Sequence, residues 1–147
     1  MSAIEANAFS ALGERSGSAV PELNALSINA NNITTLDWSA FQPLMGSVKM
    51  IDLYNNNIQR IFLSRAYEVH GLQTINLINN FNLSDVDDRF LHSVSPHTGR
   101  PKLYMTQTPL CSSPTLCQRI LSIHGPLGGG CCEKVTDADN RSSRKRE

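Results

Sequence analysis

Hydrophobic and polar positions recur with a regular spacing in the first part of the chain. Apolar residues alternate with polar ones ahead of an asparagine, and an apolar residue usually returns two positions after it. The asparagines are separated by 24, 25 and 24 residues. This alternation predicts one short strand, buried on one face, in each unit of about 24 residues. The repeated asparagines are Asn7, Asn31, Asn56 and Asn80, and the alternating positions are Leu23, Leu26, Ile28, Val48, Ile51, Leu53, Leu72, Ile75 and Leu77.

The repeat pattern is incomplete at both ends. Only Ile4 precedes Asn7, so the first unit is truncated. In the last unit the expected apolar position holds Asn82, and Leu83 follows one residue later. We therefore expect two complete copies within residues 23 to 71, a truncated copy before them and a slipped copy after them.

The complete copies spell L-x-x-L-x-L-x-x-N-x-L, and the chain resembles the leucine-rich repeat family over residues 1 to about 85. The resemblance implies an α/β solenoid with a short parallel sheet on its concave face, which holds a protein or peptide ligand. It also implies a ladder of side-chain amides along the solenoid, formed by the four repeated asparagines. An amide both donates and accepts, so it can satisfy backbone groups where the chain turns out of each strand.

The outward positions of the predicted strands form the candidate binding surface. Successive side chains of a strand point to opposite faces, so the residues between the buried positions lie on the concave side. Tyr54 is the aromatic residue in the middle of this surface, and aromatic residues often dominate binding energies. We predict that the concave surface contains Glu5, Ser27, Asn29, Asp52, Tyr54, Asn76 and Ile78.

Three connecting segments carry helix signals. Large apolar residues after the second asparagine predict a short helical or extended segment on the convex side. Ser64 is placed to cap a helical turn that ends at Gly71. A capping-box pattern beginning at Ser84 predicts a helix over residues 85 to 94. The large apolar residues of the first segment are Trp38, Phe41 and Leu44.

A strand pattern returns once more further along the chain. Leu103 and Met105 alternate with other residues, and Thr108 occupies the asparagine position. The residues from Thr108 to Cys111 resemble the Asn-Pro-x-x-Cys ending with which extracellular members of the family begin a cysteine-containing cap. We therefore predict a degenerate fifth repeat that leads into a C-terminal cap.

The predicted cap contains the strongest helix signal in the chain. Ser113 and Pro114 suit the first positions of a helix, which we predict over residues 114 to 124. Such a helix would cover the open end of the solenoid. The glycine-rich residues 125 to 130 predict a flexible loop. The predicted organisation is then repeats over residues 1 to 85, a degenerate repeat and cap over residues 86 to 132, and a disordered polar tail over residues 133 to 147.

Four cysteines lie in the last third of the chain, and three interpretations remain open. They can form disulfides, for which three connectivities exist. They can remain free, partly buried thiols in a reducing compartment. They can bind zinc together with His124, although their spacing differs from that of zinc modules. The cysteines are Cys111, Cys117, Cys131 and Cys132.

Catalytic and cofactor chemistry finds little support in the sequence. The glycine-rich loop is not a phosphate loop, because Cys131 and Cys132 stand where lysine and a hydroxyl residue are required. The histidines lack a serine or cysteine partner in a recognisable context, so we expect them at the surface. We therefore predict no enzyme activity, no cofactor and no metal. The histidines are His70, His92, His97 and His124.

Charge and hydropathy restrict the partners. The 13 basic and 13 acidic residues balance, so no net field attracts nucleic acid. No apolar stretch approaches the roughly 18 residues of a membrane span. The first residues lack a secretory pattern, which predicts a cytoplasmic protein if Met1 is the true start and an extracellular or membrane-exposed one if the chain is longer. We expect a protein or peptide partner, with the oligomeric state open.

Two further features bear on processing and function. N-glycosylation sequons at Asn32, Asn82 and Asn140 would suit a secreted glycoprotein, but about two would arise by chance. The basic tail from Arg141 to Arg146 is expected to be solvated. The alternative to ligand binding is a truncated or structural fragment of a larger leucine-rich repeat receptor or kinase, without activity of its own.

Overall fold

The computed structural model shows two parallel sheets between which the chain alternates. The predictions for Asn7, for His70 and His97, and for the polar tail over residues 133 to 147 lie outside the described residues. The structure describes residues 3–5, 8, 24–45, 47–65, 67, 69, 71–95 and 101–132.

Within the described residues, each sheet contains four short strands. The sheet predicted from the sequence, here called the concave sheet, is present, and we name its partner the return sheet. All strand pairs are parallel, as expected when one strand of each sheet is contributed by every coil of a solenoid. The return sheet contains β1 (Ala3–Ile4), β3 (Thr35–Asp37), β5 (Arg60–Phe62) and β7 (Asp85–Val86), and the concave sheet contains β2 (Ala25–Ser27), β4 (Met50–Asp52), β6 (Thr74–Asn76) and β8 (Lys102–Tyr104).

The core lies between the two sheets and is built from stacked aliphatic side chains. In the concave sheet, Leu26, Ile51, Ile75 and Leu103 stand in register on neighbouring strands. The last three are buried, and each buried side chain contributes about 1.5–3 kcal/mol of transfer free energy. A slip of one residue would turn these side chains into solvent, so the alternating pattern determines the register.

The slip in the last repeat is a single inserted residue. Ile51 pairs with Ile75, which is 24 residues later, whereas Ile61 in the return sheet pairs with Val86, which is 25 residues later. The extra residue lies in the turn between the sheets, where Phe81 is 61% exposed. The turn absorbs the insertion, so both sheets keep their register.

The first return segment is a 3-10 helix, η1 (Trp38–Leu44), in the position where a short helical or extended segment was predicted. The side chain of Asp37 caps it by accepting from the backbone N–H of Ser39 at 3.0 Å. The ring of Trp38 packs edge-on against Phe41 and Phe90, with centroid distances of 4.9 and 5.1 Å. This aromatic cluster fills the space between η1 and the next repeats.

Two predicted helix starts are wrong. The described residues between Ser64 and Gly71 contain no helix, and the Ser64 hydroxyl donates instead to the Asp37 carboxylate at 2.5 Å. The helix predicted over residues 85 to 94 is shorter, α1 (Asp88–Ser93), because Asp85–Val86 pair with β5 as β7. Its cap is Asp87, which accepts from Arg89 N at 3.1 Å. Strand pairing therefore overrode the capping box.

The C-terminal cap follows the sequence prediction closely. A short 3-10 helix, η2 (Pro109–Ser112), leads into α2 (Pro114–Ile123), which confirms the helix predicted over residues 114 to 124. The Ser113 hydroxyl accepts from Leu116 N at 3.4 Å. Arg119 joins α2 to the last repeat, because its guanidinium contacts Asp88 at 2.9 Å and donates to the carbonyl of Val86.

Two disulfides hold the end of the described chain against the cap. Cys111 bonds to Cys131 and Cys117 bonds to Cys132, with Cα separations of 4.9 and 5.4 Å. This pairing selects one of the three connectivities left open by the sequence. It also contradicts the free-thiol interpretation and leaves no thiolate for a zinc site.

The glycine-rich loop between α2 and the last two cysteines closes the edge of the concave sheet. Gly128 N donates to Leu103 O at 2.9 Å, and Gly128 forms a parallel bridge with Tyr104. A Cβ on Gly129 would lie 2.9 Å from the side chain of Thr106, so the close approach requires glycine there. The segment predicted to be a flexible loop therefore covers a strand edge.

Candidate binding surface

The outward side chains of the concave sheet form two rows across the repeats. The register of the strands defines the first row directly. Backbone hydrogen bonds of 3.2, 3.0 and 3.3 Å continue the pairing beyond the strand ends and define the second row. Neighbouring strands lie about 4.8 Å apart, so adjacent members of a row can contact one ligand group together. The first row is Ser27, Asp52, Asn76 and Tyr104, and the second row is Asn29, Tyr54, Ile78 and Thr106.

Tyr54 is the exposed aromatic residue in the second row, with 39% of its surface accessible. Its hydroxyl accepts a hydrogen bond from the Asn79 side-chain amide at 2.9 Å. That bond restricts the ring before any ligand arrives. A ligand that packs on Tyr54 therefore loses less binding free energy to side-chain ordering.

The polar residues in the middle of the first row are held by local backbone contacts. Asp52 accepts from Tyr54 N, and Asn76 accepts from Ile78 N, both at 3.0 Å. The same turn geometry thus recurs in two successive repeats. It sets the positions of one carboxylate and one amide side by side on the surface.

The placement predicted for Glu5 is wrong. The strand before it, Ala3–Ile4, pairs with Thr35 and Leu36 in the return sheet, so Glu5 follows a return strand. The segment offers Ile4 as its one described buried anchor, and a single apolar residue fits either sheet. The phase of the truncated first repeat was therefore misassigned.

The last concave strand contributes residues that the sequence prediction omitted. Tyr104 and Thr106 extend the two rows, and Lys102 is exposed at the start of the strand. The signal was present, because Leu103 and Met105 already marked a degenerate repeat. Applying the alternation to that repeat would have identified its outward positions.

Two of the repeated asparagines bridge neighbouring coils. Asn56 donates to Ile28 O at 2.8 Å and Leu53 O at 3.1 Å, and accepts from Ile33 N at 3.4 Å. Asn80 repeats this geometry one coil later. It donates to the carbonyls of Leu53 and Leu77 at 3.1 and 2.9 Å and accepts from Ile58 N at 3.1 Å. Both amides are buried, so each satisfies backbone groups that water does not reach.

The ends of the amide ladder differ from its middle. Asn31 is exposed and donates to Asn29 O in its own repeat at 2.9 Å, and because most of the coil before it lies outside the described residues, its place in the ladder stays a prediction. At the other end Thr108 is buried and donates to Met105 O at 2.7 Å, which matches only the own-repeat bond of the asparagines.

A left-handed backbone position precedes each ladder position in the described part of the chain. Ala30, Asn55, Asn79 and Gln107 have φ of 53°, 57°, 63° and 61°. This conformation bends the chain out of the concave sheet, and asparagine tolerates it better than other residues with a side chain. Asn55 and Asn79 therefore have a backbone role in addition to the contact that Asn79 makes with Tyr54.

A buried polar cluster connects the return segments away from the concave sheet. Asp37 accepts from Ser39 N at 3.0 Å, and from Ser64 N at 3.2 Å and its hydroxyl at 2.5 Å. Burial alone would raise the pKa of Asp37, but these hydrogen bonds, with Ser64 foremost, hold it below its ordinary value. Burial, and then the charge of Asp37, raise the pKa of the Tyr67 hydroxyl, which donates to Trp38 O at 2.7 Å. The cluster joins neighbouring coils.

The described part of the chain contains no group of three or more histidine, cysteine or acidic side chains that could hold a metal ion. His124 is buried rather than at the surface, with Nε2 3.1 Å from Pro101 O, whereas His92 is exposed on α1. No helix among the described residues is long and apolar enough to cross a membrane.

Residues 21–80 match a protein-family model described as leucine rich repeat. Neither the curated proteins nor the solved structures contain a match to the chain. The matched segment runs from β2 to β6, and it includes Tyr54 and both of the bridging asparagines.

Proposed function

We propose that this chain, whose residues 21–80 match a leucine-rich repeat model, binds a protein or peptide ligand through its concave sheet. The binding surface consists of the two rows of outward side chains. We further propose that the module is not an enzyme, and that it needs no cofactor and does not bind nucleic acid. The balanced charge, 13 basic and 13 acidic residues, supports the last point.

The observation that carries the proposal is the exposed, oriented ring of Tyr54. It lies in the middle of the second row, between Asn29 and Ile78, where an aromatic anchor loses little entropy on binding. Asp52 and Asn76 stand beside it in the first row and can contact backbone amides or a basic group of the ligand. The four described strands of the concave sheet give a small surface, which suits a peptide segment rather than a large flat partner.

The disulfides support a place for this binding in an oxidising compartment. Disulfides persist there and are reduced in the cytosol. Both bonds hold the loop that closes the edge of the concave sheet, so the cap and the surface depend on the same compartment. This supports a receptor-like, extracellular setting over the cytoplasmic one.

The test uses a peptide of known sequence as the probe. Peptides are selected from a random display library on the oxidised full chain, and the dissociation constant of the best one is measured by calorimetry. Tyr54→Ala should weaken binding about 10-fold or more, which corresponds to about 1.4 kcal/mol. Phe81→Ala is the matched control, because Phe81 is also exposed but lies in the turn outside the concave sheet.

The circular dichroism spectrum should be the same for both variants and the parent chain. Equal affinities for Tyr54→Ala and the parent would remove Tyr54 from the site. A library that yields no peptide dependent on the concave residues would favour the inert fragment over the binding module.

A further inference from the structure

Three asparagines occupy equivalent positions on the rim between the concave sheet and the return sheet. Asn32, Asn57 and Asn82 each follow the turn that contains a ladder position. Asn82 Nδ2 donates to Asn57 Oδ1 at 2.6 Å, and Asn57 N donates at 3.0 Å to the carbonyl of Ile33, the residue that follows Asn32. This set, here called the rim asparagines, runs parallel to the ladder but faces solvent.

The residue two positions after each rim asparagine distinguishes Asn32 and Asn82 from Asn57. Each is followed by a buried aliphatic residue, Ile33, Ile58 or Leu83. Next comes a hydroxyl residue after Asn32 and after Asn82, namely Thr34 and Ser84, but Gln59 after Asn57. Asn32 and Asn82 therefore head Asn-X-Ser/Thr sequons in one structural position, whereas Asn57 does not.

Packing explains why such a sequon stays accessible. The buried middle residue is an anchor, and the residues on either side of it in an extended chain point outward. Asn82 and Ser84 are both exposed around buried Leu83, and Asn32 is exposed beside buried Ile33. A bulky group on either asparagine would therefore extend into solvent without moving the core.

The disulfides supply independent support, because they place the chain in the type of compartment where sequons are modified. Two disulfides join Cys111 to Cys131 and Cys117 to Cys132. Disulfides form in the lumen of the secretory pathway, and the sequon is an acceptor in secreted proteins. A chain that forms these bonds is exposed to both chemistries.

We propose that Asn32 and Asn82 carry N-linked glycans. In the transfer, the side-chain amide nitrogen bonds to the anomeric carbon of an oligosaccharide carried on a lipid pyrophosphate. The bond between that carbon and the phosphate oxygen breaks, the lipid pyrophosphate leaves, and one amide proton passes to a base of the transferase. The modified nitrogen keeps one N–H, so Asn82 retains a donor for its contact with Asn57.

Glycans at these positions would line one rim and leave the concave rows open. The two sites are two coils apart, which corresponds to about 10 Å. Phe81, the most exposed large apolar side chain in the described part of the chain, is adjacent to Asn82. A glycan there would shield the ring, which explains why an inserted phenylalanine is tolerated at the surface.

The test expresses the full chain of 147 residues behind a cleavable secretion leader in cultured eukaryotic cells. Treatment with peptide-N-glycosidase converts each glycosylated asparagine to aspartate, which peptide mass spectrometry locates. We expect this conversion at Asn32 and Asn82. Ser84→Ala should abolish it at Asn82, whereas Ser84→Thr, which keeps the sequon, should preserve it.

The middle rim position provides a gain-of-site control. Gln59→Thr completes a sequon at Asn57, and we expect it to add a glycan there because Gln59 is exposed in the same geometry. Secreted, disulfide-bonded chain with unmodified Asn32 and Asn82 would overturn the proposal, as would modification at Asn140 alone. Because glycosylation does not require ligand binding, the outcome of this test is independent of the proposed binding role of the concave sheet.

Discussion

Gly128 lies directly against the ring of Tyr104 at the edge of the concave sheet. A Cβ on Gly128 would be 2.5 Å from Tyr104 Cε1, closer than two non-bonded carbon atoms normally approach. The parallel bridge between the two residues requires this proximity. The loop therefore seals the sheet only because the side chain is absent.

Gly128→Ala should lower the free energy of unfolding by about 1–3 kcal/mol, because the ring must move or the bridge must open. Thermal unfolding followed by circular dichroism measures this. In a Tyr104→Ala background the same substitution should cost much less, since the clash is gone. Additive effects of the two changes would contradict the contact.

Asn56→Ala should destabilise the protein by about 1–3 kcal/mol. The substitution leaves the carbonyls of Ile28 and Leu53 and the N–H of Ile33 without the bonds that Asn56 provides. Asn31→Ala is the control, because Asn31 is exposed, and it should change stability by less than about 0.5 kcal/mol. Equal midpoints for the two variants in urea would refute the distinction between bridging and exposed asparagines.

Ala30→Asn should stabilise the protein by several tenths of a kcal/mol, up to about 1. Ala30 has φ of 53°, a conformation that costs an alanine about 1–2 kcal/mol and an asparagine less. The reverse change at the equivalent position, Asn55→Ala, should destabilise. Chemical denaturation of both variants checks the pair, and shifts of the same sign would show that backbone conformation does not decide these positions.

Asp37→Asn should reduce stability at neutral pH and flatten its dependence on acid. The pKa of Asp37 is lowered in the folded state, so the carboxylate contributes stability above the unfolded pKa of about 3.9. That contribution is lost as the pH falls from there through the lowered folded pKa.

Unfolding free energies measured between neutral pH and acid test this expectation. The parent chain should lose more stability than the variant over that interval. Asp85→Asn, which removes an exposed carboxylate paired with Arg60, should behave like the parent. A variant whose acid dependence equals that of the parent would exclude Asp37 as the group responsible.

The middle of the solenoid could be predicted from the sequence because its physics is local. Strand residues alternate between core and solvent, so the pattern around Ile51 and Ile75 determines which side chains are buried and which face outward on the concave sheet. The helix after Ser113 could also be predicted from the sequence, because its capping residues and its terminating glycine are adjacent to it.

The wrong predictions of sheet position and helix start arose where one local sequence pattern fits two tertiary environments. Ile4 could fill a core position in either sheet, and its pairing with Leu36 shows that it belongs to the return sheet. The sequence from Ser84 to Asp87 suits a helix start, but Asp85–Val86 pair as a strand with the neighbouring strand Arg60–Phe62. The local sequence around Ser64 suits a helix cap, but in the fold its hydroxyl donates to the buried carboxylate of Asp37 instead.

The sequence by itself determined the repeat, its register and the outward residues that make Tyr54 a candidate anchor. Only the tertiary structure decided which cysteines are partners, because Cys111 and Cys131 are 20 residues apart in the chain but 4.9 Å apart in space. It likewise decided that the glycine-rich loop closes a sheet edge and that the outer rim asparagines face solvent together. Contacts between distant segments depend on how the coils stack, and no local pattern encodes that distance.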